Sequence, residues 1–277
     1  MIAIFRRQLA RTEHFDKIWK RALVRLVGSF RKHGLFITLV KCVRYPVYLI
    51  RSARYQSVFA SSDPVEVFNR IYGLRIWGRG ETICGPGSTL AYTAQLREKL
   101  PELFRLYDIK TIFDAPCGDF NWMRQVLEEA RLDYIGGDIV SALIVRNRNS
   151  FKGESTHFVT FNIISDQFPE ADIWICRDCL FHFSFQDIYR TLENYCRSNV
   201  PFVLTTTHLN TSGFENLDIR TGEFRRIDLF SSPFCLPREV KFRIDDTCEP
   251  WPSRELCLWE RSQVAQALAG FGSALSS

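Results

Sequence analysis

Short apolar runs alternate with segments of helical periodicity from about residue 102 to the end of the chain. Five of these runs have the length and the aromatic or β-branched content of buried strands, and helical segments separate several of them. This alternation is typical of a parallel sheet with helices on both faces. The predicted strands are 111–115, 134–138, 157–162, 172–177 and 202–206.

Helical periodicity is clearest in 185–197, where six apolar residues share one face. Ser184 precedes this segment and Asp187 follows three residues later, which is the spacing of a capping box. Two further helices are predicted over 121–130 and 141–150. The pattern therefore provides helices to cover the sheet.

Two segments outside this alternation are less regular. The glycine-rich stretch 77–89 leads into a helix with Ser88 placed as its N-cap, and it either holds an anion beside the first strand or is a plain linker. After the fifth strand, 208–237 is polar and has little periodicity, as expected for a functional lid or a binding loop. The tail supplies two more predicted strands, 239–245 and 255–260.

Composition indicates one full domain with an appendage. The chain has 277 residues, 46% of them hydrophobic, which is enough for a sizeable core. Its nine cysteines are an odd number and lie mostly in apolar runs without a secretory signal, so we expect reduced thiols and a cytoplasmic protein.

The basic residues are concentrated at the start of the chain. Residues 1–55 carry 13 Lys or Arg against two acids, a balance of +11, so the remainder carries −6. Segment 17–30 is predicted to be a basic amphipathic helix. The next apolar stretch, 35–50, is interrupted by charges and is shorter than the roughly 20 residues that cross a bilayer. We therefore predict a helical appendage over 1–60 and the main domain over 61–277.

Several partners fit residues 1–55. An anionic membrane surface is one, because each Lys or Arg near it contributes about 1 kcal/mol, and the protein would then be peripheral on the inner face of the membrane. Packing on the main domain, with solvated charges, fits equally well. Nucleic acid is less favoured since no reader motif accompanies the charges, and a transit peptide is the smallest possibility.

Two acids follow two predicted strands at a fixed spacing. The run Ile112-Phe-Asp-Ala-Pro-Cys-Gly-Asp-Phe-Asn-Trp-Met123 stops at Asp114 and turns at Gly118. The run Tyr134-Ile-Gly-Gly-Asp-Ile-Val140 ends at Asp138, twenty residues beyond that glycine. A strand, turn, helix and second strand with this spacing build a nucleoside pocket.

These residues resemble a known family. The segment Asp114-Ala-Pro-Cys-Gly-Asp-Phe120 is similar to the first motif of class I S-adenosylmethionine-dependent methyltransferases, with Gly118 at one of three usual glycine positions. Together with Cys176-Arg-Asp-Cys-Leu-Phe-His182 and Thr205-Thr-Thr207, it resembles a bacterial branch of that superfamily over roughly residues 60–262. The resemblance implies a doubly wound, mostly parallel, seven-stranded Rossmann-like α/β sheet that ends in an antiparallel hairpin.

The resemblance also implies a cofactor site for S-adenosylmethionine. Gly118 would let the backbone approach the ligand, Asp114 would accept from its ammonium group, and Asp138 would take the ribose hydroxyls. A solvated turn residue is the alternative for Asp138. Asn162 would face the adenine. The expected cofactor-binding residues are Asp114, Ala115, Pro116, Cys117, Gly118, Asp138, Ile139, Asn162, Ile163 and Arg177.

The methyl acceptor is expected at the same sheet edge. Asp178, His182 and His208 are candidate general bases, although His182 also fits a plain helix-start residue. The acceptor is expected to be a small molecule, a glycan or a lipid head group, which the polar segment 216–226 would clamp unless it is a solvated loop.

Three alternatives to this interpretation differ in the residues that they need. A dinucleotide dehydrogenase would need Gly-x-Gly-x-x-Gly, whereas Asp119 here would repel phosphates. A non-catalytic membrane-surface or nucleic-acid-associated module that keeps the nucleoside pocket stays open. The pair Cys176 and Cys179 lacks the further ligands that zinc needs, so no metal is expected.

Overall fold

The computed structural model describes residues 57–151 and 153–274. Those from Val58 onward belong to one compact unit. The predicted helix 17–30 and the apolar stretch 35–50 lie outside the described residues. The appendage, its partners and the domain boundary near residue 60 therefore stay predictions.

Seven strands form a single sheet in the order β3-β2-β1-β4-β5-β7-β6. The first five strands are parallel, and β7 runs antiparallel to both β5 and β6. The predicted doubly wound sheet with a terminal hairpin is therefore confirmed. The strands are β1 (Thr111–Asp114), β2 (Asp133–Asp138), β3 (Thr156–Thr160), β4 (Ile173–Cys176), β5 (Phe202–His208), β6 (Phe242–Asp245) and β7 (Arg254–Glu260).

Six helices accompany the sheet in the described part of the chain. Those predicted over 121–130, 141–150 and 185–197 are confirmed to within two residues at each end. The helices are α1 (Pro64–Gly73), α2 (Ala94–Leu106), α3 (Met123–Glu129), α4 (Ser141–Ser150), α5 (Phe185–Cys196) and α6 (Arg261–Ala274), with 3₁₀ turns at Pro86–Ser88 and Leu180–His182.

The two predicted helix caps differ in outcome. The hydroxyl of Ser184 accepts the backbone N–H of Asp187 at 3.2 Å, so the cap of α5 is confirmed. The N-cap at Ser88 is wrong, because Ser88 lies in a 3₁₀ turn and α2 begins only at Ala94, after Thr93. An additional turn intervenes, in which the carbonyl of Thr89 accepts the N–H of Thr93.

The core lies on both faces of the sheet. Alternate residues of β4 point to opposite sides, so that Trp174 packs in one apolar cluster and Ile173 and Ile175 pack in the other. All four residues of β4 are buried, as expected for a parallel strand that helices cover on both faces. This packing fixes the carboxyl ends of β1, β2 and β4, where the chain leaves the sheet.

Candidate functional site

A largely apolar cavity opens at the carboxyl ends of β1, β2 and β4 and measures about 750 Å³ when its solvent-open part is included. The strand order reverses between β1 and β4, and ligands of open α/β sheets bind outside such a switch point. The loops after β1, β2, β3 and β4 supply one part of the wall, and α1 with the segment up to Cys84 supplies the rest.

Asp138 ends β2 and lines this cavity. One carboxylate oxygen accepts the N–H of Gly118 at 3.1 Å, and the other accepts the N–H of Val140 at 2.9 Å. Burial raises the pKa of Asp138 to about 6, against the opposing effect of these N–H groups. The carboxylate is thus held in a fixed orientation at the cavity wall.

The turn after β1 requires a glycine. Gly118 has φ +56°, a left-handed conformation that side chains disfavour. A Cβ atom there would lie 2.7 Å from the sulfur of Cys84. The turn can therefore approach both Cys84 and Asp138 only without a side chain.

Asp114 ends β1 but does not line the cavity. Its carboxyl group is buried and accepts the hydroxyl of Tyr134 at 2.7 Å. Burial raises the pKa of Asp114 to about 7. Asp114 is therefore an acid behind the wall whose uncharged form is favoured by burial.

The end of β4 carries a buried cluster of two arginines and two aspartates. Arg177 pairs with Asp246 at 2.9 Å, and Arg254 pairs with Asp178 at 2.8 Å and with Asp246 at 3.1 Å. Both guanidinium groups lie over the ring of Tyr92, at 5.7 and 4.7 Å. The paired charges offset the cost of burying each one.

Asp178 is the member of this cluster that reaches the cavity. Its backbone has φ +54°, and its N–H donates to the hydroxyl of Thr206 at 3.0 Å. Its carboxylate is bound to Arg254. Asp178 therefore presents a charge-compensated carboxylate in a fixed position.

His182 lines the cavity beside Asp178. Its Nδ1 lies 2.8 Å from the carbonyl oxygen of Glu223, in the loop after β5. Burial lowers the pKa of His182 to about 4, so the ring is neutral at pH 7. Since a carbonyl can only accept, Nδ1 carries the proton and Nε2 carries the lone pair.

His208 has the opposite arrangement. Its Nδ1 accepts the backbone N–H of Ile227 at 3.2 Å, and burial lowers its pKa to about 4. In this neutral ring the proton is on Nε2. His208 does not line the cavity, whereas Asp178 and His182 do.

The chain is similar to known proteins in its structure but not in its sequence. No family model matches the chain, and no curated protein matches its sequence. Magnesium protoporphyrin IX methyltransferase from Synechocystis PCC 6803, solved with bound S-adenosylhomocysteine, matches with a TM-score of 0.50 and 13% identity over 69% of this chain and 93% of that one.

The chain has the class I methyltransferase fold.

Two further structures match with lower scores. Human N-acetylserotonin methyltransferase in complex with S-adenosylmethionine is 11% identical, with a TM-score of 0.46 over 74% of this chain and 57% of that one. The N-methyltransferase NodS from Bradyrhizobium japonicum WM9 is 7% identical, with a TM-score of 0.44 over 61% of this chain and 96% of that one. The chain thus spans little more than half of the human protein.

This methyltransferase fold brings only some of the predicted residues together. Pro116, Asp138, Ile139, Asn162 and Ile163 line the cavity along with the two candidates after β4. The remaining predicted residues lie behind this wall or away from it, and the guanidinium of Arg177 is engaged by Asp246. Those outside the cavity wall are Asp114, Ala115, Cys117, Gly118, Arg177 and His208.

The sequence patterns do not predict the part of the cavity wall that lies upstream of the sheet. Phe68 and Tyr72 of α1, together with Trp77 and Cys84, line the cavity. Trp77 opens the glycine-rich stretch 77–89, but a single tryptophan there matches no motif. The local sequence pattern does not indicate where this segment docks in the methyltransferase fold.

The described residues include no group of three or more His, Cys, Asp or Glu arranged to hold a metal ion. None of the described helices is both long and apolar enough to cross a membrane.

Proposed function

We propose that the protein transfers a methyl group from S-adenosylmethionine to a small-molecule acceptor. The observation that carries this proposal is the carboxylate of Asp138, which the N–H groups of Gly118 and Val140 hold at the wall of a cavity beside the strand switch point. In nucleotide-binding folds, an acid at the end of the second strand binds the ribose hydroxyls.

The neighbouring residues fit this cofactor. Ile139, Phe161 and Ile163 provide apolar surface for an adenine ring, and Asn162 provides an amide beside it. The matched Synechocystis methyltransferase was solved with S-adenosylhomocysteine bound, which supports the same class of ligand here.

The turn after β1 favours a ligand without phosphates. The carboxylate of Asp119 accepts the hydroxyl of Thr82 at 2.8 Å and the N–H of Ile83 at 2.9 Å. This buried acid sits where a dinucleotide site would offer free N–H groups to a pyrophosphate. A sulfonium-bearing nucleoside avoids that repulsion.

When bound, the cofactor supplies a methyl group on a positively charged sulfur. The chain's own contribution is to hold the nucleoside at Asp138 and to align an acceptor from the side of β4, where Asp178 and His182 lie. Alignment of the reacting atoms accounts for most of the acceleration in such a displacement.

Calorimetry of S-adenosylhomocysteine binding to the full chain tests this proposal. Asp138→Ala should weaken binding by about ten- to a hundredfold, because hydrogen bonds to a charged group contribute about 1.5–3 kcal/mol. Asp133→Ala is the matched control, since Asp133 is the exposed first residue of the same strand, and it should leave binding unchanged. Equal affinity of wild type and Asp138→Ala, or no binding by the wild type, would refute the proposal.

A further inference from the structure

The two sides of the cavity differ in chemistry. On the side of β2 and β3 the wall contains Asp138 and Asn162, which suit the polar groups of a nucleoside. On the side of β4 the wall is mainly aromatic, and Asp178 and His182 contribute polar groups to it along with the hydroxyl of Tyr72. The acceptor side is thus a slot lined by aromatic rings.

The aromatic residues form a continuous series of ring contacts. Trp77 stacks on His182 with a centroid distance of 4.7 Å and an interplanar angle of 25°. Phe68 lies 5.9 Å from Trp77 and 5.6 Å from Phe183. Surfaces of this kind bind flat rings, which stack on aromatic side chains or meet them edge to face.

The polar segment 216–226 does not supply a clamp to this slot. Arg220 pairs with Glu223, and the hydroxyl of Thr221 donates to Asp187 at 2.5 Å. The carboxylate of Asp218 accepts the N–H of Phe185 at 2.7 Å. The contacts of Asp218 and Thr221 hold the loop onto α5, and none of these side chains lines the cavity.

His182 offers a specific polar contact within the aromatic wall. Its Nδ1–H is held by the carbonyl of Glu223, and within the described part of the chain no hydrogen-bond partner meets Nε2. Neutral imidazole with a free Nε2 lone pair accepts a proton or a hydrogen bond. A hydroxyl group on a bound ring can therefore donate to it.

We propose that the methyl acceptor is a flat aromatic molecule with a hydroxyl group, an inference that rests on the proposed function. In this proposal Trp77 stacks on the acceptor ring, and Nε2 of His182 accepts the hydroxyl proton. The acceptor oxygen forms a bond to the methyl carbon as the bond from that carbon to sulfur breaks, so the cofactor leaves as a neutral thioether. The hydroxyl proton ends on His182 and passes to water.

The surroundings of His182 keep its ring neutral. Asp178 raises its pKa, whereas Arg225 and Arg254 lower it, and burial lowers it more than any of them. The ring consequently keeps its lone pair throughout the physiological pH range. A protonated amine, the other acceptor that needs a base, would have to leave water for a mostly apolar slot, which is costly.

Binding of 2-naphthol to the full chain saturated with S-adenosylhomocysteine tests the acceptor class without turnover. Calorimetry should show 2-naphthol binding at least about tenfold more tightly than methyl glucoside, and Trp77→Ala should weaken it by about tenfold. Trp77→Phe should keep most of the affinity. Trp251→Ala is the matched control, because Trp251 is 44% exposed and away from the cavity wall.

His182→Gln tests the base by two measurements. It should leave naphthol affinity within about threefold but lower kcat for naphthol methylation by about a hundredfold or more. Tight binding of the glucoside, or equal naphthol affinity of wild type and Trp77→Ala, would overturn the acceptor class. An unchanged kcat in His182→Gln would overturn the base.

The two proposals fail in different ways. If S-adenosylhomocysteine binds and naphthol does not, the acceptor proposal is wrong and the proposed function stands. If S-adenosylhomocysteine itself does not bind, both proposals are wrong.

Discussion

Asp114 is buried and His182 is half-buried, and their pKa values move in opposite directions. Burial raises the pKa of the acid to about 7 and lowers that of the imidazole to about 4. In both cases the uncharged form is favoured, because a charge is poorly solvated away from water. For His182 this leaves a free base, and for Asp114 it makes stability depend on pH.

The pH dependence of Asp114 has a definite sign. The folded state keeps the proton of this carboxyl group up to about pH 7, whereas an unfolded chain loses it near pH 4. The folded state therefore binds more protons between these values, and the stabilising contribution of Asp114 is lost as the pH rises from about 4 to 7.

We expect Asp114→Asn to remove this dependence. The free energy of unfolding of the variant relative to wild type should rise by about 1 kcal/mol per pH unit between pH 5 and 7 and level off above that. Urea unfolding at several pH values measures it. A flat difference for Asp114→Asn across this pH range would contradict the raised pKa.

At the scale of elements, the charge cluster ties the end of β4 to the β6–β7 hairpin. Arg177 and Asp246 have side chains only 3% and 1% exposed. Removing one partner of such a pair leaves an uncompensated buried charge. An exposed pair lacks this penalty because water solvates whichever partner remains.

This contrast gives a second prediction. Arg177→Ala should lower the free energy of unfolding by about 3–5 kcal/mol. Lys241→Ala, which removes a pair with Glu260 whose side chains are about 40% exposed, should lower it far less. Urea unfolding of both variants against wild type measures the difference. Similar losses in the two would show that the buried cluster is not what joins the hairpin to β4.

The sequence predicted the sheet well because its strands are short, buried apolar runs with local signals at both ends. The start of α2 was missed because it depends on the turn after Pro86, and Ser88 alone looks like a good cap. The pairing of Asp178 with Arg254 was also missed. These residues are 76 positions apart, and nothing local marks either as the other's partner.

The sequence predicted the part of the candidate site that lies at the carboxyl ends of the strands. Asp138 and Asn162 were found because parallel strands bring their carboxyl ends to one edge. Phe68 and Trp77 were not found, since their position at the cavity comes from tertiary packing of α1 and the segment after it. The tautomers of His182 and His208 likewise depend on backbone atoms of the distant loop after β5.

For the whole molecule, charge divides the chain into a basic beginning and an acidic remainder. Residues 1–55 carry +11 and the remainder carries −6. The membrane expectation for that first segment remains a prediction. Membrane binding would require electrostatic attraction between the basic segment and anionic lipids, and this attraction weakens as the salt concentration rises.

Sedimentation of the full chain with vesicles of phosphatidylserine and phosphatidylcholine tests this expectation. Replacing Lys17, Lys20, Arg21 and Arg25 with Gln should reduce binding more than about tenfold, since each charge contributes about 1 kcal/mol. The matched control replaces four exposed basic residues elsewhere, Lys99, Arg105, Lys110 and Lys241. Equal reduction by both sets, or no sedimentation of wild type, would count against a membrane role.

The contact that orients His182 comes from the main chain of Glu223 and not from its side chain. Any residue at position 223 would present the same carbonyl oxygen, provided that it does not distort the loop. A substitution at position 223 therefore keeps the carbonyl oxygen that orients the imidazole but removes the side-chain contacts with Arg220. Insertions or deletions between β5 and β6, which move that peptide group, are the changes that would alter it.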